Sequence, residues 1–193
     1  MKKIESLLLM QKCRRKIFSS QDLRAILNIK NDNTLYKATE GLIKSGVLKK
    51  IVKGKYYLFT NKPDELQIAN FLYSPSYISF ESALNFYGIL IQASYPITSA
   101  TPLRAFRTIV DEREFTYSHL SPKLYFDYVK KNDVFIASPE KALADELYLV
   151  SKGIRNIDTS ELDLKNIDKK TFASIIKRFD NKQLSTLTKR IKL

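Results

Sequence analysis

The stretch Lys49 to Phe59, KKIVKGKYYLF, constrains the fold of this chain more than any other. Two short runs rich in β-branched, aromatic and apolar residues flank Lys53-Gly54. Glycine adopts positive φ without steric cost, which a two-residue hairpin turn needs. The pattern predicts an antiparallel hairpin that carries lysines at its tip, where most hairpins carry Asn or Asp.

Three helices are predicted ahead of this hairpin. The first covers residues 4–13, where apolar residues recur at helical spacing. The second runs from a serine cap to about Leu27, and the third runs from about Asn33 to a glycine C-cap at Ser45-Gly46. Three helices followed by a hairpin, within about sixty residues, is the plan of a winged helix-turn-helix.

The third helix and the hairpin tip carry the candidate DNA-binding residues. In such a motif the recognition helix lies in the major groove and its N-terminal residues meet base edges. Asparagine pairs with adenine, threonine contacts thymine, and lysine on phosphate positions the protein without reading sequence. The candidates for base contacts are Asn31, Asn33, Thr34, Tyr36 and Lys37. The candidates for phosphate contacts are Lys30, Lys44, Lys53 and Lys55, with Arg14 and Arg15 in a second basic cluster.

Charge is unevenly distributed along the chain, whose net charge is +13. Residues 1–62 hold 15 Lys and Arg against 4 Asp and Glu. Residues 63–164 hold 9 against 14, and residues 165–193 hold 9 against 2. Such an excess indicates a polyanionic partner, usually nucleic acid and less often an acidic membrane surface. The sequence therefore predicts double-stranded DNA as a partner.

The remainder of the chain is predicted to form a second domain, with the boundary at Pro63-Asp64. The fold class expected for the whole chain is α+β: a winged helix-turn-helix over 1–62, then a mixed α/β domain over 63–193 that ends in helices. The elements expected in the second domain are a helix over 79–88, strands within 95–120 and at 134–137, a helix over 138–150, and two helices in a basic tail, 165–193.

Few residues suit catalysis or metal binding. A single cysteine, Cys13, excludes an internal disulfide, and a single histidine, His119, argues against a Cys/His metal site. The Asp163-Leu164-Lys165 triplet has the form found in metal-dependent nucleases, but it lies in a predicted polar loop, and Asp111 to Glu114 is read as a charged turn. No run approaches a membrane span and no signal peptide is recognised. We therefore expect a cytoplasmic protein without enzymatic activity or cofactor.

Four segments together resemble antitoxins of the AbiEi type. They follow the order of that family and extend over most of the chain. The segments are 46–57 (GVLKKIVKGKYY), 77–84 (YISFESAL), 116–120 (TYSHL) and 136–145 (IASPEKALAD).

The resemblance implies a type IV toxin–antitoxin pair used in abortive infection against phage. It implies that the winged domain binds inverted repeats in its own promoter and represses the operon. It implies that the C-terminal domain carries the antitoxin activity, and that the partner is a nucleotidyltransferase-like toxin with which no stable complex is required. The family's DNA contacts match Asn33, Thr34, Lys37, Lys53 and Lys55 here, and the basic tail would add positive surface. The expected state is a monomer, or a weak dimer on DNA.

Two other readings stay open. The chain could be a winged-helix adaptor whose acidic middle binds a partner protein. It could also be a transcriptional regulator whose aromatic second domain senses a small ligand. The salt dependence of DNA binding separates the adaptor from the antitoxin, and a thermal shift on ligand addition would favour the sensor.

Overall fold

The computed structural model describes residues 3–13, 15–92 and 95–191, and for Lys3 only the backbone. Within these residues the chain has eight α-helices and two β-sheets, so the predicted α+β class is confirmed. The chain divides into two compact units, Met1–Leu72 and Tyr73–Leu193. The helix Glu65–Leu72, beyond the predicted boundary at Pro63-Asp64, belongs to the first unit.

The first unit contains four helices and a three-stranded antiparallel sheet of order β1-β3-β2. Its elements in chain order are α1 (Lys3–Lys12), β1 (Ile17–Ser19), α2 (Ser20–Leu27), α3 (Asp32–Lys44), β2 (Leu48–Val52), β3 (Lys55–Leu58) and α4 (Glu65–Leu72).

Local signals fix the ends of α2 and α3. Ser19 and Asp22 form a capping box at the start of α2, and Asn28 ends that helix in the left-handed region. The side chain of Asn31 caps α3, and Gly46 follows its end with φ +73°. The predicted second and third helices are therefore confirmed to within two residues.

The predicted hairpin is also confirmed. Gly54 adopts φ +79° in the turn between β2 and β3, and its carbonyl accepts a hydrogen bond of 2.9 Å from the amide of Ser20. Strand β1, which was not predicted, pairs with the outer edge of β3. The core between helices and sheet contains Met10, Phe18, Leu23, Leu27, Leu35, Leu42, Leu48 and Leu58.

The second unit is built on a six-stranded mixed sheet of order β6-β7-β5-β4-β9-β8. Two neighbouring pairs, β4–β9 and β5–β7, are parallel and the others are antiparallel. Its elements are β4 (Tyr77–Ile78), α5 (Phe80–Phe86), β5 (Ile97–Thr101), β6 (Phe106–Val110), β7 (Arg113–His119), β8 (Tyr128–Lys131), β9 (Val134–Ala137), α6 (Pro139–Ser151), α7 (Lys169–Phe179) and α8 (Lys182–Arg190).

Helix α6 is the central helix of this unit, since it packs against α5, α7 and α8. Its start agrees with the prediction, because Ser138 caps it and Pro139 occupies its first turn. The strand preceding it, β9, is confirmed as well. Strand β4 was not predicted, because a strand of two residues carries too little periodicity to be recognised. Strand β8 was not predicted either, because it ends in two lysines and lacks the continuous apolar run of β9.

Candidate nucleic-acid interface

Helix α3 presents a polar face away from the core of the first unit. Leu35, Thr39 and Leu42 are buried and define its inward side. At about 100° per residue, Asn33 and Lys37 point almost directly away from that side. Both are exposed. Lys44, in the last turn, and the half-buried Glu40 lie on the same outward face. This outward face carries two lysines, one asparagine and one carboxylate.

The turn before α3 is held by Arg24. Its guanidinium donates a hydrogen bond of 2.5 Å to the carbonyl of Lys30 and forms an ion pair with Asp32. Asn31 Oδ1 accepts a hydrogen bond of 3.1 Å from the amide of Thr34. The side-chain oxygen of Asn31 is therefore engaged in capping α3. The side chain of the neighbouring Lys30 is exposed.

Thr34 and Tyr36 lie on the two flanks of α3 rather than on its outward face. Thr34 lines a cavity of about 470 Å³ on one flank, together with Lys37, Gly41 and the buried Leu27. Tyr36 lies on the other flank and is 67% exposed. Of the residues proposed to read bases, Asn33 and Lys37 share the outward face.

The two lysines of the hairpin turn have different environments. Lys53 is exposed at the tip. Lys55 Nζ donates to the carbonyls of Phe71 and Leu72, both at 2.6 Å, at the C-terminal end of α4. Helix ends of this polarity attract cations. Burial lowers the pKa of Lys55. Sequence reasoning assigned Lys55 to phosphate and missed these bonds, because the partners lie 16 and 17 residues away.

The second basic cluster is only partly described. Arg14 lies outside the described residues. Arg15 is exposed, and its guanidinium forms a 3.0 Å ion pair with Asp22, the residue of the α2 capping box. Lys49 and Lys50 on β2 are exposed and were not among the predicted phosphate contacts. The adjacent KK pair in the sequence was the signal that could have identified them.

The second unit contains a buried polar cluster that the sequence did not reveal. Lys141 and Asp145, one turn apart on α6, form an ion pair with both side chains fully buried. Tyr77 donates to Asp145 Oδ2 at 2.9 Å and accepts from Lys141 Nζ at 2.9 Å, and Ser79 donates to Asp145 Oδ2 at 2.8 Å. Burial raises the pKa of Asp145 and lowers that of Lys141, while their pairing opposes both changes. The cluster joins β4 to α6 and has no exposed member.

A second cluster surrounds Arg155. Its guanidinium pairs with Glu81 and, at 3.2 Å, with Glu146, and it packs over the ring of Phe80 at 4.2 Å. Burial and the neighbouring Glu81 raise the pKa of Glu146 to about 8. Because one arginine faces two carboxylates, a proton on Glu146 balances the charge of this cluster.

The backbone of Phe80, the residue under the Arg155 guanidinium, has φ +57°, an unfavourable conformation for a bulky side chain.

Neither cluster resembles a metal centre. Among residues 3–13, 15–92 and 95–191, no group of three or more His, Cys, Asp or Glu side chains could hold a metal ion. Within the same ranges, no helix combines the length and the apolar character that crossing a bilayer requires. His119 is exposed, and its Nδ1 lies 2.7 Å from the carbonyl oxygen of Leu103, 16 residues earlier in the chain.

Comparison of the chain with protein-family models and with curated proteins finds no match in either. The similarity to AbiEi-type antitoxins therefore stays a prediction, and the candidate interface stands on its own geometry.

Proposed function

We propose that the first unit is a winged helix-turn-helix that binds double-stranded DNA, and that the protein represses its own operon. The observation that carries the proposal is the element order α1-β1-α2-α3-β2-β3, with β1 added to the hairpin in a β1-β3-β2 sheet. In this arrangement α3 is the recognition helix and β2–β3 is the wing. Strand β1 was not predicted from the sequence; it attaches the hairpin to the segment that leads directly into α2, which supports the assignment of the hairpin as part of the same motif.

The chemistry of the exposed surfaces supports the same reading. Asn33 and Lys37 point outward from the first two turns of α3, which is the part of a recognition helix that meets base edges. Lys53 is exposed at the wing tip, where it would bind phosphate. Lys55 is left out of the proposed phosphate contacts, because two carbonyls already accept from its ammonium.

We assign the antitoxin role on the sequence resemblance alone. In that role the protein counteracts a nucleotidyltransferase-like toxin encoded beside it, and the second unit supplies the neutralising activity. The two closed polar clusters of that unit suit a structural function, because the side chains of Lys141, Asp145 and Glu146 are fully buried. The proposal therefore includes no catalytic step.

The first test is a mobility-shift titration of the full chain on the DNA upstream of its own gene and on a scrambled duplex of equal length, at two salt concentrations. We expect tighter binding to the upstream duplex, and a preference that persists at the higher salt. Equal binding to both duplexes that disappears with salt would contradict sequence recognition and would favour the adaptor reading.

Variants of the outward face sharpen this test. Asn33→Ala should reduce discrimination between the duplexes by about 1–3 kcal/mol, the range for one good base contact. Lys53→Ala should weaken binding to both duplexes equally. Glu40→Gln is the matched control, for which the expected change in DNA affinity has the opposite direction. It removes the negative charge between Lys37 and Lys44 and should strengthen binding to both duplexes. Unchanged binding in all three variants would refute the assignment of the interface.

The antitoxin role needs a separate test in cells. The toxin and this protein are expressed from unrelated promoters, so that repression cannot reduce toxin synthesis. Rescue of growth by the wild-type chain and by Asn33→Ala alike would support a neutralising activity apart from DNA binding. Failure of both to rescue growth would remove the antitoxin role and leave the repressor in place.

A further inference from the structure

The two outer strands of the second sheet differ in chemistry. Strand β8 is one edge, and its last two residues are the exposed Lys130 and Lys131. Lysines on an edge strand oppose pairing with another chain. Strand β8 also exposes Val129, by 44%, so its lysines are what set it apart. Strand β6, at the other edge, has no lysine and exposes Phe106 by 42% and Ile109 by 63%.

Strand β6 also has free backbone hydrogen-bonding capacity on its outer side. It is joined to β7 by the two-residue turn Asp111-Glu112, in which both residues have positive φ. Such a turn makes the flanking pair, Val110 and Arg113, hydrogen-bonded. Along an antiparallel pair of strands, hydrogen-bonded and non-hydrogen-bonded residue pairs alternate. Arg107 and Ile109 are therefore in non-hydrogen-bonded pairs with β7, and their N–H and C=O groups point away from it. In the part of the chain that the structure describes, β7 is the sole strand paired with β6.

The one charged side chain of β6 is already neutralised within its own molecule. The guanidinium of Arg107 contacts both carboxylate oxygens of Glu114 on β7, at 2.5 and 3.0 Å. An approaching strand therefore meets no uncompensated charge on this edge, in contrast to the lysines of β8.

We propose that β6 is a dimerisation edge, on which the β6 strand of a second copy of this chain pairs antiparallel across a two-fold axis at Thr108. In this register Arg107 faces Ile109 of the second copy, and these two symmetry-related pairs form four hydrogen bonds from the outward-facing groups. Like charges do not meet, because each arginine lies opposite an isoleucine. The two six-stranded sheets become one continuous sheet through an isologous contact.

A second copy suits this edge better than an unrelated strand, because the sequence of β6 is complementary to itself. Phe106 meets Val110 of the second copy on one face, and Arg107 meets Ile109 on the other, so each large side chain faces a smaller apolar one. A register shifted by two residues would bring two arginines or two isoleucines together and lose that match. The inference does not rest on DNA binding and is tested without DNA.

The test is sedimentation of the full chain over about a hundredfold range of concentration, chosen to span a micromolar Kd. We expect a monomer–dimer equilibrium for the wild type. Ile109→Pro removes an outward N–H and leaves the β6–β7 hydrogen bonds in place, so it should give a monomer. Lys130→Pro is the matched control, because Lys130 occupies the equivalent position before the Asn132-Asp133 turn of β8. It should dimerise like the wild type.

Three outcomes would overturn the proposal: a monomeric wild type at all concentrations, an Ile109→Pro variant that dimerises normally, or equal loss of dimer in both proline variants. Should Ile109→Pro fail to fold, as judged by its thermal melt, a cross-link gives the answer. Thr108→Cys in a Cys13→Ala background places two sulfur-bearing residues at the two-fold axis, with Cα atoms about 4.5 Å apart, within disulfide range. It should form a covalent dimer on mild oxidation, whereas Val129→Cys, its counterpart on β8, should not. Equal cross-linking of the Thr108→Cys and Val129→Cys variants would refute the proposal that β6 is the dimerisation edge.

Discussion

At the scale of single residues, Lys53 and Lys55 show how two neighbouring lysines acquire different roles. Lys55→Met removes an ammonium that bonds two carbonyls at the end of α4, and should destabilise the protein by about 1 kcal/mol. Lys53→Met, the control, should leave the thermal midpoint unchanged because its side chain is exposed. Thermal melts of both variants check this, and equal midpoints would show that the α4 contact contributes nothing.

Glu146 provides a prediction of pH dependence. Its pKa is raised to about 8 in the folded protein, from 4.5, so the folded state binds a proton that the unfolded state releases between these two values. The stability it contributes is fully present below its unfolded pKa and is lost as pH rises towards 8. Glu146→Gln, which resembles the protonated acid, should make the thermal midpoint less sensitive to pH in this window. Identical slopes for variant and wild type from pH 5 to 9 would contradict the raised pKa.

At the scale of elements, the buried ion pair between Lys141 and Asp145 on α6 contributes to the stability of the second unit. Removing one member, as in Lys141→Met or Asp145→Leu, leaves an uncompensated buried charge and should cost about 3–5 kcal/mol of unfolding free energy. The double variant leaves no such charge and should recover most of that loss. Chemical denaturation of the single and double variants measures the coupling, and additive losses would contradict a direct interaction.

Helix α3 contains a glycine that its backbone does not require. Gly41 has ordinary helical φ, and a Cβ added there meets nothing within 4 Å. Gly41→Ala should therefore raise the unfolding free energy by about 0.4–1 kcal/mol. Gly46→Ala, at φ +73° beyond the end of the same helix, should lower it by about 1–2 kcal/mol. Thermal midpoints that move in the same direction would contradict this account of the two glycines.

The elements of the first unit were predictable where a local signal exists. The serine cap of α2, the glycine after α3 and the glycine of the hairpin each act within a few residues, and each helix or turn lies where they indicate. Strand β1 was missed because it forms only by pairing with β3, whose residues lie 36 to 40 positions later in the chain, for instance Tyr57 opposite Ile17. Sequence patterns of period two need more than three residues to be visible.

The polar clusters of the second unit were missed for a different reason. Charged residues on a helix are ordinarily read as solvent-exposed, and nothing in the sequence shows that Lys141 and Asp145 point inward. Their spacing of four residues was the available signal, since it places them on the same side of α6. Their partner Tyr77 lies 64 residues from Lys141, so the cluster follows from the tertiary fold alone.

At the scale of the whole molecule, the basic excess is concentrated in the first unit. Residues 1–72 hold 15 Lys and Arg against 6 Asp and Glu, and residues 73–193 hold 18 against 14. If the first unit supplies the phosphate contacts, each contact adds about 0.9 to the slope of log K against log salt. Lys53→Ala removes one phosphate contact and should make the slope shallower by about 0.9. Asn33→Ala removes a base contact and should leave the slope unchanged. Fluorescence anisotropy over a salt series measures both, and a slope that changes with Asn33 and not with Lys53 would reverse the assigned roles.

The long reach of the contacts around β4 bears on how the chain folds as it is synthesised. Tyr77 and Ser79 find their partner Asp145 68 and 66 residues later, and β4 pairs with β9, so the centre of the second sheet cannot close until α6 has left the ribosome. The first unit needs only residues up to Leu72. Domains generally fold as units, N-terminal first, during synthesis. The nascent chain therefore acquires its proposed DNA-binding unit well before the rest of the protein is folded.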